Sequence, residues 1–222
     1  MKITIIYDNE TSREDLKADW GFACLVEADG KNILFDTGAK GTILLDNMKK
    51  LGIEPSSVSD VFISHAHWDH TGGLVDFLKE NSNVRLYIPS SYSIPSDSAR
   101  EVIVVKEPIK ICEGVFSTGG LQGSEQVPYG DEIEQSLVVS TDRGQVVISG
   151  CSHPGVKNIL EAASTYGKIH ALIGGLHDFN EFKLLEGMPV ICATHCTKFK
   201  KEIESLYPDE YIEGGAGRII NI

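Results

Sequence analysis

The chain has 222 residues, 41% hydrophobic and 23% charged, an ordinary globular balance that excludes collagen-like and disordered classes. Twenty Lys and Arg against 32 Asp and Glu give a net charge of −12, so affinity for nucleic acid or an anionic membrane would need a local basic patch, and none is expected. No stretch approaches the ~18–20 apolar residues of a membrane span. The opening MKITIIYDNE lacks the apolar run and cleavage site of a secretory signal, and five cysteines are few and odd in number, so a reduced, cytoplasmic protein is expected.

In chain order, residues 2–7, 22–27 and 32–35 read as strands, the last two joined by a turn at Asp29-Gly30. Residues 41–51 read as a helix, with Ile43, Leu44, Met48 and Leu51 at helical spacing and Gly52 and Pro55 stopping it. Residues 60–64 read as a buried strand, and residues 74–79 as a helix behind Gly72-Gly73. Strands follow at 84–88, 102–105, 136–140 and 145–149, with a turn at Asp142-Arg143-Gly144 between the last two, then a helix at 156–163. Strands at 169–173 and 190–193, a helix at 198–206 with Phe199, Ile203 and Leu206 inward, and a strand at 218–222 complete the pattern. Residues 92–101 and 118–130 are polar loops. Two similar halves, strands in the middle and helices outside, point to one domain spanning residues 1–222. Glycines 38, 72, 73, 174 and 175 are expected at tight strand-to-helix turns.

The chemistry concentrates in His65-Ala66-His67-Trp68-Asp69-His70, directly after an apolar strand. Three imidazoles and a carboxylate in six residues make a poor core segment but a good ligand set for Zn, Fe or Mn. A strand end puts His65 and His67 on one side, and the turn beyond can swing Asp69 and His70 to a second point nearby, which suits two adjacent ions. His153, His177 and His195 each follow an apolar strand and a small-residue turn, whereas His170 lies inside a strand and reads as structural.

The segment from His65 to His70 resembles the HxHxDH signature of the metallo-β-lactamase superfamily, and NILFDTG at 32–38 resembles that superfamily's upstream strand ending in an aspartate. YDNET, SHAHWDHTGGL, SGCSHPG, GGLH and THCT narrow the resemblance to the branch of metal-dependent hydrolases labelled dihydropterin ribofuranosyl-aminobenzene phosphate synthases. The resemblance implies an α/β fold, the four-layer αββα sandwich, with a two-metal centre at one edge. It places His65, His67 and His153 on the first metal, Asp69, His70 and His195 on the second, and makes Asp36 a carboxylate that orients a ligand histidine. The sequence departs from the pattern in two places. Gly150-Cys151 stands where many relatives have a bridging aspartate, and Ser117-Thr118-Gly119-Gly120 has no histidine where many relatives have one. His153 therefore competes with His177 for the third place on the first metal.

The expected activity is hydrolysis by hydroxide formed at a mono- or dinuclear centre of divalent transition-metal ions, Zn ahead of Fe or Mn. Asp69 would orient that hydroxide and His177 would meet substrate or leaving group. The partner would be a small molecule: a phosphoester, lactone, thioester or amide. One alternative is the branch's condensation of a pterin with an aminobenzoate-derived phosphoribosyl compound. Another is a non-catalytic metal-binding module, against which the intact ligand set argues. Cys151 is either a thiolate ligand or a small buried residue, Cys196 is a packing or redox-sensitive residue, and Cys24, Cys112 and Cys192 read as core. Trp68 either walls the site or, with Trp20, belongs to the core. No P-loop motif is present.

Overall fold

The computed structural model describes residues 1–123 and 132–222. In chain order the first half holds β1 (Lys2–Tyr7), β2 (Ala23–Ala28), β3 (Lys31–Phe35), α1 (Gly41–Lys50), β4 (Asp60–Phe62), α2 (Trp68–Thr71), α3 (Leu74–Glu80), β5 (Arg85–Pro89) and β6 (Glu101–Val105). The second holds β7 (Ile109–Cys112), β8 (Val115–Ser117), β9 (Leu121–Gln122), β10 (Ile133–Glu134), β11 (Leu137–Thr141), β12 (Gly144–Ser149), α4 (Val156–Ser164), β13 (Ile169–Gly175), β14 (Val190–Thr194), α5 (Lys200–Leu206) and β15 (Ile219–Asn221).

The strands form two mixed sheets, ordered β15-β1-β2-β3-β4-β5-β6 and β14-β13-β12-β11-β8-β7, with β9 and β10 paired apart. Each strand alternates its side chains between two faces, and in the central strands of each sheet both faces are buried. Ile3, Ile5, Phe35 and Phe62 of the first sheet meet Leu137, Ile148, Ile173 and Cys192 of the second in the central core. Leu25, Leu34 and Val61 on the first sheet's other face pack against Leu44 and Met48 of α1 and Phe77 of α3. Val138, Val147 and Leu172 on the second sheet's outer face pack against Ile159 of α4 and Ile203 of α5. Three apolar layers between four structural layers make an αββα sandwich.

Strands β3 to β6 run parallel, as do β12, β13 and β14. Parallel neighbours end on the same side, and in α/β sheets ligands gather where the carboxyl ends converge. Here Asp36 follows β3, Ser64 and His65 follow β4, Cys151 and His153 follow β12, His177 follows β13, and His195 follows β14.

Several sequence expectations need correction. The last helix begins at Lys200, and Leu206 is 56% exposed rather than inward, because only Ile203 faces the sheet. Strands β7 to β10 and the single turn α2 are too short for a periodic signal and escaped the sequence. Residues 121–122 of the expected loop form β9, and residues 124–130 of it lie outside the described residues. Gly174 and Gly175 sit at the end of β13 rather than in a strand-to-helix turn; a Cβ on Gly174 would meet the Ser149 carbonyl oxygen at 1.9 Å. Trp20 and Trp68 are 50% and 62% exposed, so neither belongs to the core. Among the described residues, no helix is long and apolar enough to cross a membrane.

Candidate metal centre

The backbone is strained where the site is built. Of the non-glycine residues with positive φ, Asp36 (55°), Ser152 (61°), His177 (48°) and His195 (47°) all follow strand ends at this edge. Such conformations cost of order 1–3 kcal/mol each and persist where surrounding structure over-determines them. Surrounding bonds do so here. The Asp36 carboxylate accepts from the Ser64 backbone N–H and hydroxyl, both at 2.7 Å, and the Asp8 carboxylate accepts the His195 N–H at 3.0 Å.

His65, His67 and His153 converge, their ligand atoms all within 4.8 Å of one another. The proton positions follow from the partners. The Ser64 hydroxyl spends its one proton on Asp36, so at 2.8 Å it accepts from His65 Nδ1–H and leaves His65 Nε2 as a bare lone pair. His153 Nδ1 donates to Glu134 Oε2 at 2.8 Å, which frees its Nε2 likewise. His67 turns Nδ1 toward the group, 3.1 Å from His65 Nε2.

Asp69, His70 and His195 form a second group within the same 4.8 Å limit. His70 Nδ1 donates to Asp36 Oδ2 at 2.7 Å, so Asp36 orients one histidine in each group: His70 directly and His65 through Ser64. His195 Nδ1 donates to Asn9 Oδ1 at 2.9 Å, and the Asn9 amide in turn donates to the His195 carbonyl at 3.0 Å. His195 Nε2 lies 3.2 Å from Asp69 Oδ2 but outside hydrogen-bond geometry, and it is buried with no hydrogen-bond partner among the described residues. A buried lone pair without a donor fits a cation. Trp20 Nε1 donates to Asp69 Oδ2 at 2.8 Å, and its ring meets His195 edge-on with centroids 5.1 Å apart.

Cys151 lies between the two groups. Its sulfur joins His65 and His70 in a third cluster and His195 and Cys196 in a fourth, and it stands 3.2 Å from His70 Nε2. The preceding Gly150 has no room for a side chain, since a Cβ there would meet Ser64 Oγ at 2.2 Å and His65 Nδ1 at 3.0 Å.

Electrostatics favour ligand-ready protonation states. Burial, then the charge of neighbouring His70, pushes His65 well below the usual imidazole range. Burial, then His195, pushes His70 down to about 3, and burial with His153 lowers His67. Neutral imidazoles are the form that binds metal. Burial pushes Asp69 up, but His195 and His70 outweigh it and hold the carboxyl below the usual carboxylate range. Glu134 is fully buried, yet its bond from His153 and the nearby His65 hold it well below that range.

His177 belongs to none of these clusters among the described residues. It lines a cavity of about 270 Å³ with Trp20, His67, Trp68, Asp69 and His153, so Trp68 does wall the site. Its Nδ1 lies 3.3 Å from Asp178 Oδ2, and Asp178 pairs with Lys198 at 3.1 Å. A larger cavity of about 660 Å³ around Asp29, Gly30 and Asp142 holds no histidine or cysteine, so volume does not mark the site. His170 sits near the start of β13, at the opposite end of that strand from Gly175. Cys24 and Cys192 lie in the central core, with Cys112 packed against it.

Sequence reasoning missed Glu134, Asp8, Asn9, Ser64 and Trp20. Asp8 and Asn9 lie in the YDNET segment, where neither has a spacing pattern that marks it as a partner of a ligand histidine. Glu134 lies in an unremarkable polar run before β11 and carried no local signal.

A model of the metallo-β-lactamase superfamily matches residues 21–183. A Methanocaldococcus jannaschii protein described as 7,8-dihydropterin-6-methyl-4-(beta-D-ribofuranosyl)-aminobenzene-5'-phosphate synthase is 28% identical over 260 residues, covering 90% of this chain and 88% of that one. An uncharacterized protein of the same organism is 25% identical over 264 residues, covering 99% of this chain and 100% of that one. A solved structure described as a metal-dependent hydrolase of the beta-lactamase superfamily is 26% identical with a TM-score of 0.80, covering 100% of this chain and 99% of that one.

Proposed function

The chain belongs to the metallo-β-lactamase superfamily, and on that premise we propose that it is a metal-dependent hydrolase of small molecules. The carrying observation is the pair of neighbouring ligand groups, His65/His67/His153 and Asp69/His70/His195, the ligand atoms of each lying within 4.8 Å of one another, with His195 Nε2 buried and without a hydrogen-bond partner among the described residues. Two divalent ions are proposed there, Zn ahead of Fe or Mn by ligand chemistry. When bound, they would bring the pKa of a coordinated water toward ~7 and polarise the substrate's carbonyl or phosphoryl oxygen.

The chain's own residues supply the rest. Asp69, held anionic and fixed by Trp20 Nε1, orients the attacking water. Asp36, Glu134 and Asn9 hold four histidines in the tautomer that presents a lone pair to the centre, His65 being reached through Ser64. His177, oriented by Asp178 and facing the cavity, donates a proton to the leaving group. The cavity of about 270 Å³ admits a small molecule or one end of a larger one.

A second reading is a condensation of the kind named for the Methanocaldococcus relative, favoured by similarity across 90% of the chain. Elemental analysis of protein purified without chelator, followed by phosphodiester, lactone, thioester and amide substrates alongside a pterin-condensation assay, separates the two. Hydrolysis of any of the four supports the hydrolase. Condensation alone supports the second reading. Protein without metal and unable to take it up overturns both.

A further inference from the structure

Cys151 and Cys196 are 45 positions apart in the chain and meet at the carboxyl edge of the second sheet. Cys151 follows β12 and Cys196 follows β14, with the end of β13 between them. Their sulfurs lie within 4.8 Å of one another, and the Cys196 sulfur is 3.9 Å from the Cys151 carbonyl oxygen. Gly175, at the end of β13, lets them meet. A Cβ there would stand 2.7 Å from the Cys196 sulfur and 3.3 Å from Cys151 Cα, so a side chain at that position would push the two cysteines apart.

The pair is also reachable by a small oxidant. Both cysteines line the cavity of about 270 Å³, and Cys196 is the more exposed of the two. By contrast Cys24 and Cys192 lie in the central core and Cys112 packs against it, and none of these three lines that cavity. A disulfide needs an S–S bond of about 2.0 Å. Rotation of a thiol between staggered wells and movement of the two turns close the remaining gap, since neither cysteine is held in a strand ladder.

We propose that Cys151 and Cys196 are a redox-active dithiol, a modification site at which a hydroperoxide installs a reversible disulfide. The exposed Cys196 sulfur attacks one peroxide oxygen. The S–O bond forms as the O–O bond breaks, and the departing oxygen takes the thiol proton and leaves as water or alcohol. The Cys151 sulfur then attacks the sulfenic sulfur of Cys196. The S–S bond forms, the S–O bond breaks, and the hydroxide takes the Cys151 proton and leaves as water. The two sulfurs together lose two electrons, which reduce one peroxide bond, and a dithiol reductant reverses the change. The disulfide draws the turn carrying Cys151 and His153 toward the turn carrying His195 and Cys196, which disturbs ligand atoms of both metal groups. That effect rests on the metal-centre reading above; the disulfide itself does not.

Hydrogen peroxide titration of the full chain, with chelator present to keep metal from shielding the thiols, tests it. Two of the five free thiols should disappear together, with a mass loss of about 2 Da for two hydrogens, and dithiothreitol should restore both. Peptide mapping should find Cys151 linked to Cys196. Cys151→Ala and Cys196→Ala, checked for folding by circular dichroism, should form no disulfide and should gain oxygen on the cysteine that remains. After removal of chelator and peroxide, zinc affinity of the oxidised chain should be about 10–100-fold below that of the reduced chain, the loss expected when ligands lose their orientation, and dithiothreitol should recover it. A wild-type chain that keeps all its thiols, gains oxygen without a link, or links through Cys24, Cys112 or Cys192 overturns the proposal and leaves the metal-centre reading standing. Equal zinc affinity before and after oxidation overturns the coupling to the metal groups. A reduced chain that takes up no zinc yet forms the Cys151–Cys196 disulfide overturns the metal-centre reading and supports the modification site.

Discussion

Glu134 Oε2 accepts the His153 ring proton at 2.8 Å, while Glu134 Oε1 accepts the backbone N–H groups of Gly150, Cys151 and Ser152 at 2.9–3.1 Å. One buried carboxylate therefore shapes the whole turn after β12 and fixes the imidazole at its end. Replacing Glu134 with Gln keeps the volume but weakens the grip on His153 Nδ1, and metal affinity should fall about 10–100-fold. Glu134→Ala leaves several buried donors unpaired at ~1–3 kcal/mol each, so stability should fall by about 3 kcal/mol or more. Isothermal titration with zinc and urea unfolding check the two effects separately.

Asp69→Ala should abolish turnover and lower metal content from two ions toward one. It removes a member of the second ligand group and the acceptor of the Trp20 N–H. His170→Ala should leave both unchanged and cost at most about 1 kcal/mol, as expected for a partly exposed strand residue remote from the site. A folded, metal-loaded His170 variant without activity would contradict the division between ligand and structural histidines.

His153 and His177 separate by readout. His153→Ala should lower metal content, because His153 stands in a ligand cluster with His65 and His67. His177→Ala should keep its metal and lose about 10²–10⁴ in kcat, the effect of a missing proton donor. Elemental analysis beside steady-state kinetics on both variants decides the assignment.

Trp20→Phe keeps the ring against His195 and deletes the N–H bonded to Asp69 Oδ2. Metal content should stay constant while kcat falls by about tenfold, the loss of ~1.4 kcal/mol of positioning. An equal fall in Trp20→Ala and Trp20→Phe would assign the effect to the hydrogen bond, and a larger fall in Trp20→Ala would add a part for the ring.

The metal-stripped protein should lose stability as pH falls. His65 and His70 have folded-state pKa values below the ordinary 6.5, His70 at about 3, so the unfolded chain binds more protons than the folded one once pH drops below 6.5. Their stabilising contribution is complete above that pH and declines as pH falls, by up to about 1.4 kcal/mol per pH unit for each histidine. Urea midpoints measured on chelator-treated protein between pH 7.5 and 5 should fall steadily. A flat profile would mean that these imidazoles are not buried neutral.

Much of this molecule is local in sequence. The strand β4, the short turn after it and the ligands from His65 to His70 are adjacent residues, so a periodic apolar run followed by clustered donors reveals both the strand end and its chemistry. The helices α1, α3 and α4 announce themselves by apolar residues three and four apart, and the two layers of helix around paired sheets follow from the alternation of halves. What turns neutral histidines into an oriented ligand set is not local. Asp8 meets the His195 backbone across 187 positions, Trp20 meets Asp69 across 49, and Glu134 meets His153 across 19. A single carboxylate or indole has no period and no spacing rule, so nothing in its own neighbourhood separates it from a solvated side chain. Packing of the two sheets brings the carboxyl ends of β3, β4, β12, β13 and β14 to one edge. Only that convergence brings the Cys151 sulfur within 4.8 Å of the ligand nitrogens of His65 and His70 and, among the described residues, leaves His195 Nε2 buried without a donor.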